Sequence, residues 1–140
     1  MKGNEIRSVG IVVKPNHPEA RATAGELSAW LRTKGIEQAG EVIEAGTSDT
    51  ENSTVDADLI VVLGGDGTMI STARLIGSGD VLVLGINYGS LGYLTDFRIE
   101  EMFPAIEAII AGEYEIDSRV MLEAELLRGD ERKAAGRVLN

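Results

Sequence analysis

The sequence has no cysteine and only one histidine, His17, in 140 residues. Disulfides, thiolate metal sites and a histidine-rich metal centre within one chain are therefore excluded, and a reducing, cytoplasmic setting is the natural expectation. Aromatic residues make up only 4% of the chain. Its apolar runs are too short for a membrane span, and its first residues lack the apolar segment of a secretory signal. We interpret His17, which lies between prolines, as a loop residue rather than a catalyst.

Positive charge is also scarce. The 13 Lys and Arg residues are outnumbered by 23 Asp and Glu residues, which gives a formal net charge of -10. Binding to phosphate backbones requires clustered Lys and Arg, so nucleic acid is not expected as a partner. A small anionic ligand held by backbone amides stays possible. The acidic residues between 44 and 58 are interpreted as a solvated surface loop rather than a metal site.

Glycine, in contrast, is abundant, with 17 residues, and it separates strand-like from helix-like segments. Continuous apolar runs are typical of strands buried on both faces of a parallel sheet, and apolar residues at helical spacing predict the helices between them. The predicted strands span residues 6–13, 41–45, 57–65 and 81–86, and the predicted helices span 19–34, 68–76 and 99–111. This order predicts an α/β domain over residues 1–112, a Rossmann-like parallel sheet with helices on both faces.

The pattern changes after Gly112. Two strand-like segments, residues 114–128 and 132–139, lie on either side of a hairpin-type turn at Gly129-Asp130. Residues 113–140 are therefore predicted to begin a truncated, antiparallel β-rich domain. Strands without their partners expose unpaired backbone groups. We accordingly expect this region to self-associate or to be poorly ordered.

A glycine-rich turn, Gly64-Gly65-Asp66-Gly67-Thr68, follows one buried strand. Ligands of open α/β sheets bind outside the carboxyl ends of the strands. Glycines there permit positive φ and expose consecutive N–H groups to a phosphate. Asp66 could then accept a proton from an attacking hydroxyl. The alternative is a tight turn with Asp66 as a helix N-cap. Neither a Walker loop nor a dinucleotide fingerprint fits the spacing.

A second glycine-rich stretch, GINYGSLGYLTDF at residues 85–97, follows the next buried strand. Adjacent parallel strands deliver their loops to the same edge, so both stretches are predicted to share a cleft. Tyr93 and Phe97 could stack on a base or nicotinamide ring, or could pack the loop onto the sheet. Arg7, Lys14 and Arg74 are candidates for phosphate contact, and the sequence does not select among them.

Together the two stretches resemble the NAD kinases, also called ATP-NAD or polyphosphate-NAD kinases. That family carries Gly-Gly-Asp-Gly-Thr after one strand, as residues 64–68 do here. After the next strand it carries Gly-Ile-Asn-x-Gly-x-Leu-Gly, then Tyr or Phe, then Leu, as residues 85–94 do. The segment SRVMLEAELLR and the final VLN are similar to later parts of the family. The resemblance covers essentially the whole chain.

The resemblance implies a reaction and its participants. Asp66 would accept the proton of the 2′-hydroxyl on the adenosine ribose of NAD, and the product would be NADP. ATP or polyphosphate would be the phosphate donor, with Mg²⁺ or another divalent cation bridging its phosphates. Phosphate binding is implied for Gly64, Gly65, Gly67 and Thr68, and NAD binding for Asp66, Gly67, Tyr93 and Asn140.

Members of that family are considerably longer than this chain and commonly form homo-oligomers. We therefore expect an N-terminal fragment of a homo-oligomeric NAD kinase, with little or no activity alone. Two other functions stay open. Diacylglycerol-type lipid kinases share the first motif, but their Asn-Glu-rich helix and Pro-x-Gly-Thr turn are not found here. A nucleotide-binding module without catalysis would show a nucleotide-dependent thermal shift and form no NADP.

Overall fold

The computed structural model describes residues 5–46, 55–76, 81–88, 95, 97–114, 121–128 and 131–139, the last two ranges as backbone only. Most of these residues belong to strands and helices that alternate along the chain. In chain order the elements are β1 (Ser8–Val13), α1 (Pro18–Thr33), β2 (Glu37–Gln38), β3 (Ile43–Glu44), β4 (Leu59–Leu63), α2 (Asp66–Ala73), β5 (Leu82–Asn87), β6 (Phe97–Arg98), a 3-10 turn (Ile99–Glu101), α3 (Met102–Ile110), β7 (Met121–Arg128) and β8 (Glu131–Leu139).

The first six strands form one sheet in the order β2-β1-β4-β5-β6, and β3 also pairs with β1. Each of these pairings is parallel. Every residue of β4 is buried, as expected for a central parallel strand that is covered on both faces. The predicted parallel α/β fold is confirmed.

Alternate residues of the central strands build two hydrophobic cores, one on each face of the sheet. On one face, Val9, Ile11, Leu59 and Val61 pack with buried residues of α1 and α3. On the other face, Val12, Ile60 and Val62 pack with Leu75, which follows α2, and with Met69 of α2. Helices therefore cover both faces of the sheet, as predicted.

Side chains of α1 and α3 also meet at the surface. The rings of Trp30 and Phe103 lie 5.3 Å apart between their centroids, in a tilted arrangement. Lys34 Nζ lies 5.4 Å from the centre of the Trp30 ring and 3.4 Å from Glu107 Oε1. These side chains cover the hydrophobic core on the face of the sheet that carries α1 and α3, called the first core below. Helix α1 ends at Thr33, shortly before Gly35. The φ of Gly35, 70°, lies in the left-handed region that glycine adopts at low cost.

Four details differ from the sequence predictions. The strand predicted at residues 41–45 is shorter, β3 at Ile43–Glu44, and β2 at Glu37–Gln38 was not predicted; Gly40 with φ 77° turns the chain between the two. Strand β6 was not predicted, since two residues are too short for a periodic pattern. Helix α2 begins at Asp66, two residues before its predicted start. Ile110 is one of the apolar residues at helical spacing that predicted the helix over 99–111, but it is 36% exposed rather than buried.

The last two strands form a separate two-stranded sheet. Strands β7 and β8 are antiparallel, and Arg128 pairs with Glu131 on either side of positions 129–130, so the predicted hairpin is confirmed. A register shift between Leu126 and Leu127 interrupts the ladder, because Leu126 pairs with Ala134 whereas Leu127 pairs with Arg132. The division into domains at residue 112 stays a prediction.

Among the helices that the structure describes, none combines the length and the apolar character that a membrane crossing requires.

Two isoleucines of α3 test whether the helix is held by its buried face. Ile106 is 0% exposed and Ile110 is 36% exposed. We expect Ile106→Ala to lower the free energy of unfolding by about 2–5 kcal/mol, because it leaves a cavity in a packed core. Ile110→Ala, the matched control, should cost less than about 1 kcal/mol. Urea unfolding followed by the fluorescence of Trp30 measures both, and equal losses would contradict the packing described here.

Candidate functional site

Three loops leave the sheet at the carboxyl ends of β1, β4 and β5. The register places Val13 beside Leu63 and Leu63 beside Ile86. The backbone N–H of Lys14 donates to the Leu63 carbonyl at 2.9 Å, and that of Gly64 donates to the Ile86 carbonyl at 2.9 Å. The glycine turn and the start of the second glycine-rich stretch therefore emerge side by side. The predicted shared edge is confirmed for the residues that the structure describes.

The glycine turn is the start of α2. Gly65 is the N-cap, with an extended backbone at φ -131° and ψ -163°, and no described side chain caps the helix. Asp66 is the first helical residue, so the alternative in which its side chain serves as the N-cap is wrong. None of Gly64, Gly65 and Gly67 uses the positive φ that glycine permits.

Each glycine of the turn has different surroundings. A Cβ at Gly64 would lie 2.8 Å from Thr68 Cβ, closer than two carbon atoms can approach without a shift. A Cβ at Gly65 would lie 4.0 Å from Asn87 Nδ2, whereas one at Gly67 would meet no described heavy atom within 4 Å. Packing therefore requires glycine at position 64. The described neighbours do not require glycine at position 67, which is exposed.

The side chain of Thr68 packs against the glycine turn at Gly64. Its side chain is buried, at 6% exposure, and faces Gly64. Its carbonyl accepts a 2.7 Å hydrogen bond from the hydroxyl of Thr72, one helical turn later. Thr68 thus fixes the path of the turn, and its predicted contact with phosphate stays a prediction.

Asp66 is linked to the second stretch through two polar residues. Thr95 Oγ1 lies 3.4 Å from Asp66 Oδ1, and Asn87 Nδ2 donates to Thr95 Oγ1 at 3.1 Å. Thr95 is 0% exposed, while Asp66 and Asn87 are half-buried. Sequence reasoning gave no role to Thr95. The sequence feature that could have indicated it is its position: Thr95 is a small polar residue directly after residues 85–94, the stretch that resembles the family.

His17 and Tyr88 lie at the same edge, on the loops that follow β1 and β5. His17 is the N-cap of α1, and its Nδ1 accepts a 3.0 Å hydrogen bond from the Ala20 backbone. Its ring lies 4.8 Å from that of Tyr88. Burial raises the pKa of the Tyr88 hydroxyl, which donates to the Glu19 carbonyl at 3.3 Å. His17 is thus a structural cap within the loop where it was expected.

The three basic candidates lie in different places. Arg7 precedes β1, at the opposite edge of the sheet, and lies 3.5 Å from Glu5. Arg74 follows the last residue of α2, away from the glycine turn. Lys14 directly follows β1, beside Gly64, and is exposed. Among the described residues Lys14 takes part in no ion pair.

Two acidic side chains at the ends of the stretch 44–58, Glu44 and Asp58, have structural partners. Glu44 Oε2 lies 3.1 Å from Arg21 Nη2, and Glu44 Oε1 accepts from the Asn16 backbone at 3.0 Å. The Asn16 hydrogen bond, assisted by Arg21, lowers the pKa of Glu44. Asp58 accepts from the backbone N–H groups of Arg7 and Ser8. No group of three or more acidic, histidine or cysteine side chains suited to a metal occurs in the described part of the chain.

Two predicted site residues, Tyr93 and Asn140, lie outside the described residues, so their roles stay predictions. Phe97, the other residue considered for stacking, is among the described residues. It belongs to β6 and packs, partly buried, against the first core, which favours the packing interpretation for this ring.

Comparison with known proteins shows which family this chain matches. Residues 38–114 match the ATP-NAD kinase N-terminal domain. The NAD kinase of Geobacter metallireducens is 41% identical over 140 residues, which cover 96% of this chain and 50% of that protein. The NAD kinase of Citrifermentans bemidjiense is 39% identical over 144 residues, with the same coverage of both chains. This chain therefore spans about half the length of the curated relatives that it matches.

A solved structure supports the fold. The crystal structure of yeast NADH kinase complexed with NADH matches with a TM-score of 0.69 at 21% identity, covering 97% of this chain and 47% of that one. The family match includes the glycine turn, Asp66 and the residues that follow β5. The resemblance seen in the two glycine-rich stretches is thus confirmed, and the chain belongs to the NAD kinase family.

Proposed function

We propose that this chain carries the phosphate-binding and proton-accepting half of an NAD kinase. The enzyme would transfer a phosphoryl group from ATP or polyphosphate to the 2′-hydroxyl of the NAD adenosine ribose. The family description names ATP and NAD, and a relative of the same fold was crystallised with NADH. The observation that carries the proposal is the position of Asp66, a carboxylate on the first turn of a helix that begins without a capping side chain.

The chemical step needs a proton acceptor beside a phosphate site. The ribose oxygen forms a bond to the transferred phosphorus, the bond from phosphorus to the donor's bridging oxygen breaks, and Asp66 takes the hydroxyl proton. Backbone N–H groups in the first turn of α2 face outward from an uncapped helix end, and the helix dipole favours an anion there. Gly67 leaves room for the phosphate to approach this backbone.

Gly64 and Gly65 have roles that differ from that proposed for Gly67. Gly64 has a packing reason to lack a side chain, its contact with Thr68. Gly65 supplies the extended N-cap. Their proposed contribution is to hold the turn in the shape that presents residues 66–68. A divalent cation would arrive with the donor phosphates and reduce their charge, as is general in phosphoryl transfer.

Lys14 is our choice among the three basic candidates for a contact with the donor phosphates. It alone of the three directly follows a strand at the carboxyl edge, and its backbone is hydrogen-bonded to Leu63, the residue before the glycine turn. Its exposed ammonium group has no ion-pair partner among the described side chains. An unpaired cation beside an anion site strengthens phosphate binding through charge-assisted hydrogen bonds.

Several features of the whole enzyme remain predictions from the sequence. They are the contacts of Tyr93 and Asn140 with NAD, assembly into a homo-oligomer and a cytoplasmic location. The lipid-kinase alternative is set aside by the family assignment. The binding module without catalysis is an outcome of the first experiment below.

The first experiment replaces the proton acceptor. NADP formation is measured for this chain and for this chain joined to the second half of the Geobacter metallireducens NAD kinase. We expect the joined protein to be active. Asp66→Asn should lower its turnover by about 100-fold or more, the contribution typical of a general base. The midpoint of thermal unfolding should change little, because Asn has nearly the shape of Asp.

Other outcomes of this experiment are informative. Near-normal turnover of Asp66→Asn would contradict the catalytic role of Asp66. A midpoint that rises with ATP, in a joined protein that forms no NADP, would identify a nucleotide-binding module.

The second prediction concerns the open side of the glycine turn. Gly67→Val should weaken ATP binding by about tenfold or more, because a branched side chain then occupies the space proposed for phosphate. Stability should be nearly unchanged, since no described atom lies near the new side chain. Gly25→Val is the matched control, an exposed glycine in α1 that also has open space around it. Equal ATP affinity of the two variants, measured by calorimetry, would contradict the phosphate site.

The third prediction tests the choice of cation. Lys14→Gln should weaken ATP binding by roughly tenfold at low salt, the size of one charge-assisted contact. The difference from the unmodified chain should shrink as salt is raised, because the contact is exposed to solvent. Arg74→Gln removes the same charge from the chain at a distance from the turn and should leave affinity nearly unchanged. An equal loss in both variants would show that only net charge matters.

A further inference from the structure

Asp66 is in contact with a buried hydroxyl that the proposed reaction does not consume. Thr95 is 0% exposed, although it lies only two residues before β6 at the edge of the sheet. A buried hydroxyl is costly unless it is hydrogen-bonded. Here it is bonded on two sides, at 3.1 Å to Asn87 and at 3.4 Å to Asp66.

The chemistry of the three groups fixes the direction of both hydrogen bonds. The amide nitrogen of Asn87 is a donor only, so the Thr95 oxygen accepts from it. The Thr95 proton then has to point elsewhere. An ionised carboxylate is an acceptor only, and the Thr95 hydroxyl donates to Asp66 Oδ1 at 3.4 Å. The chain of donation therefore runs from Asn87 through Thr95 to Asp66.

The three residues come from three different parts of the fold. Asp66 begins α2, Asn87 ends β5, and Thr95 lies near the start of β6. Asn87 is the last residue of a strand that is paired on both sides, so its backbone is fixed. The side chain of Asp66 is thereby connected, through Thr95, to the end of a paired strand.

We propose that Thr95 is a positioning residue, whose buried hydroxyl, oriented by Asn87, holds the Asp66 carboxylate in the orientation for proton transfer. The inference rests on the proposed function of Asp66. A hydroxyl that donates to a carboxylate also stabilises its ionised form, the form that accepts a proton. Holding a reactive group in place before the substrate arrives lowers the entropic cost of the reaction.

Kinetics on the joined protein test the positioning role. Thr95→Val keeps the shape of the side chain and removes the hydroxyl. It should lower kcat by about 10- to 100-fold, the effect of a misplaced catalytic group, and leave the KM for NAD within about twofold. Thr95→Ser keeps the hydroxyl and should retain most of the activity. Equal activity of the Val and Ser variants, or a change in KM alone, would overturn the proposal.

A stability cycle on the chain by itself tests the hydrogen bond without any activity. Thr95→Val, Asp66→Ala and the double variant are compared by urea unfolding. If the hydroxyl donates to the carboxylate, the effects of the two changes on the unfolding equilibrium constant should differ from additivity by roughly tenfold. The cycle repeated with Thr95→Ser should be additive, because the serine retains the bond. Additivity with Val would mean that Thr95 only packs, and the proposal would fail.

The two experiments separate the two hypotheses. If the joined protein with native residues forms no NADP, the proposed function fails, and the stability cycle still decides whether Thr95 holds Asp66. If the joined protein is active and the cycle is additive, the function stands and the positioning role does not.

Discussion

The in-register parallel pairing of β1, β4 and β5 is the constraint on which the site depends. These strands are covered by hydrophobic cores on both faces, so polar groups have no place along most of their length. The register aligns Val13, Leu63 and Ile86, and the residues that follow them emerge next to one another. Lys14, the glycine turn and Asn87 are neighbours for that reason, although the chain separates them widely.

The two helices that begin at this edge do so in different ways. Helix α1 has a side-chain cap from His17, whereas α2 starts at Gly65 without one. A capping side chain typically stabilises a helix by about 1 kcal/mol, and α2 lacks that contribution. Within the part of the chain that the structure describes, no N-cap side chain competes for the first N–H groups of α2. A helix end of this kind suits an external anion, which makes the difference between the two helices meaningful for the proposed function.

The sequence predicted the long, strongly patterned parts of this structure, and it singled out Asp66, the residue on which the proposed function depends. Apolar runs located β4 and β5, and the two glycine-rich stretches identified both the family and Asp66. What it missed depends on contacts between distant residues. The polar link through Thr95 exists only once β5 and α2 are side by side. Gly64 does not use the positive φ that glycine permits. Position 64 excludes a side chain because Thr68 takes the space, and spacing along the chain cannot show such a contact.

The negative charge of the chain opposes the binding of an anionic phosphate donor at the proposed site. A chain with a formal net charge of -10 repels polyanions, including the proposed phosphate donor, at long range. Binding must then come from groups that act at short distance, where local geometry outweighs net charge. In the proposed site these are the backbone N–H groups at the start of α2 and the ammonium group of Lys14, with a divalent cation lowering the charge of the donor itself. The carboxylate of Asp66 would work against the phosphate in this balance, and the proton transfer that we propose for it would account for its place beside the proposed anion site.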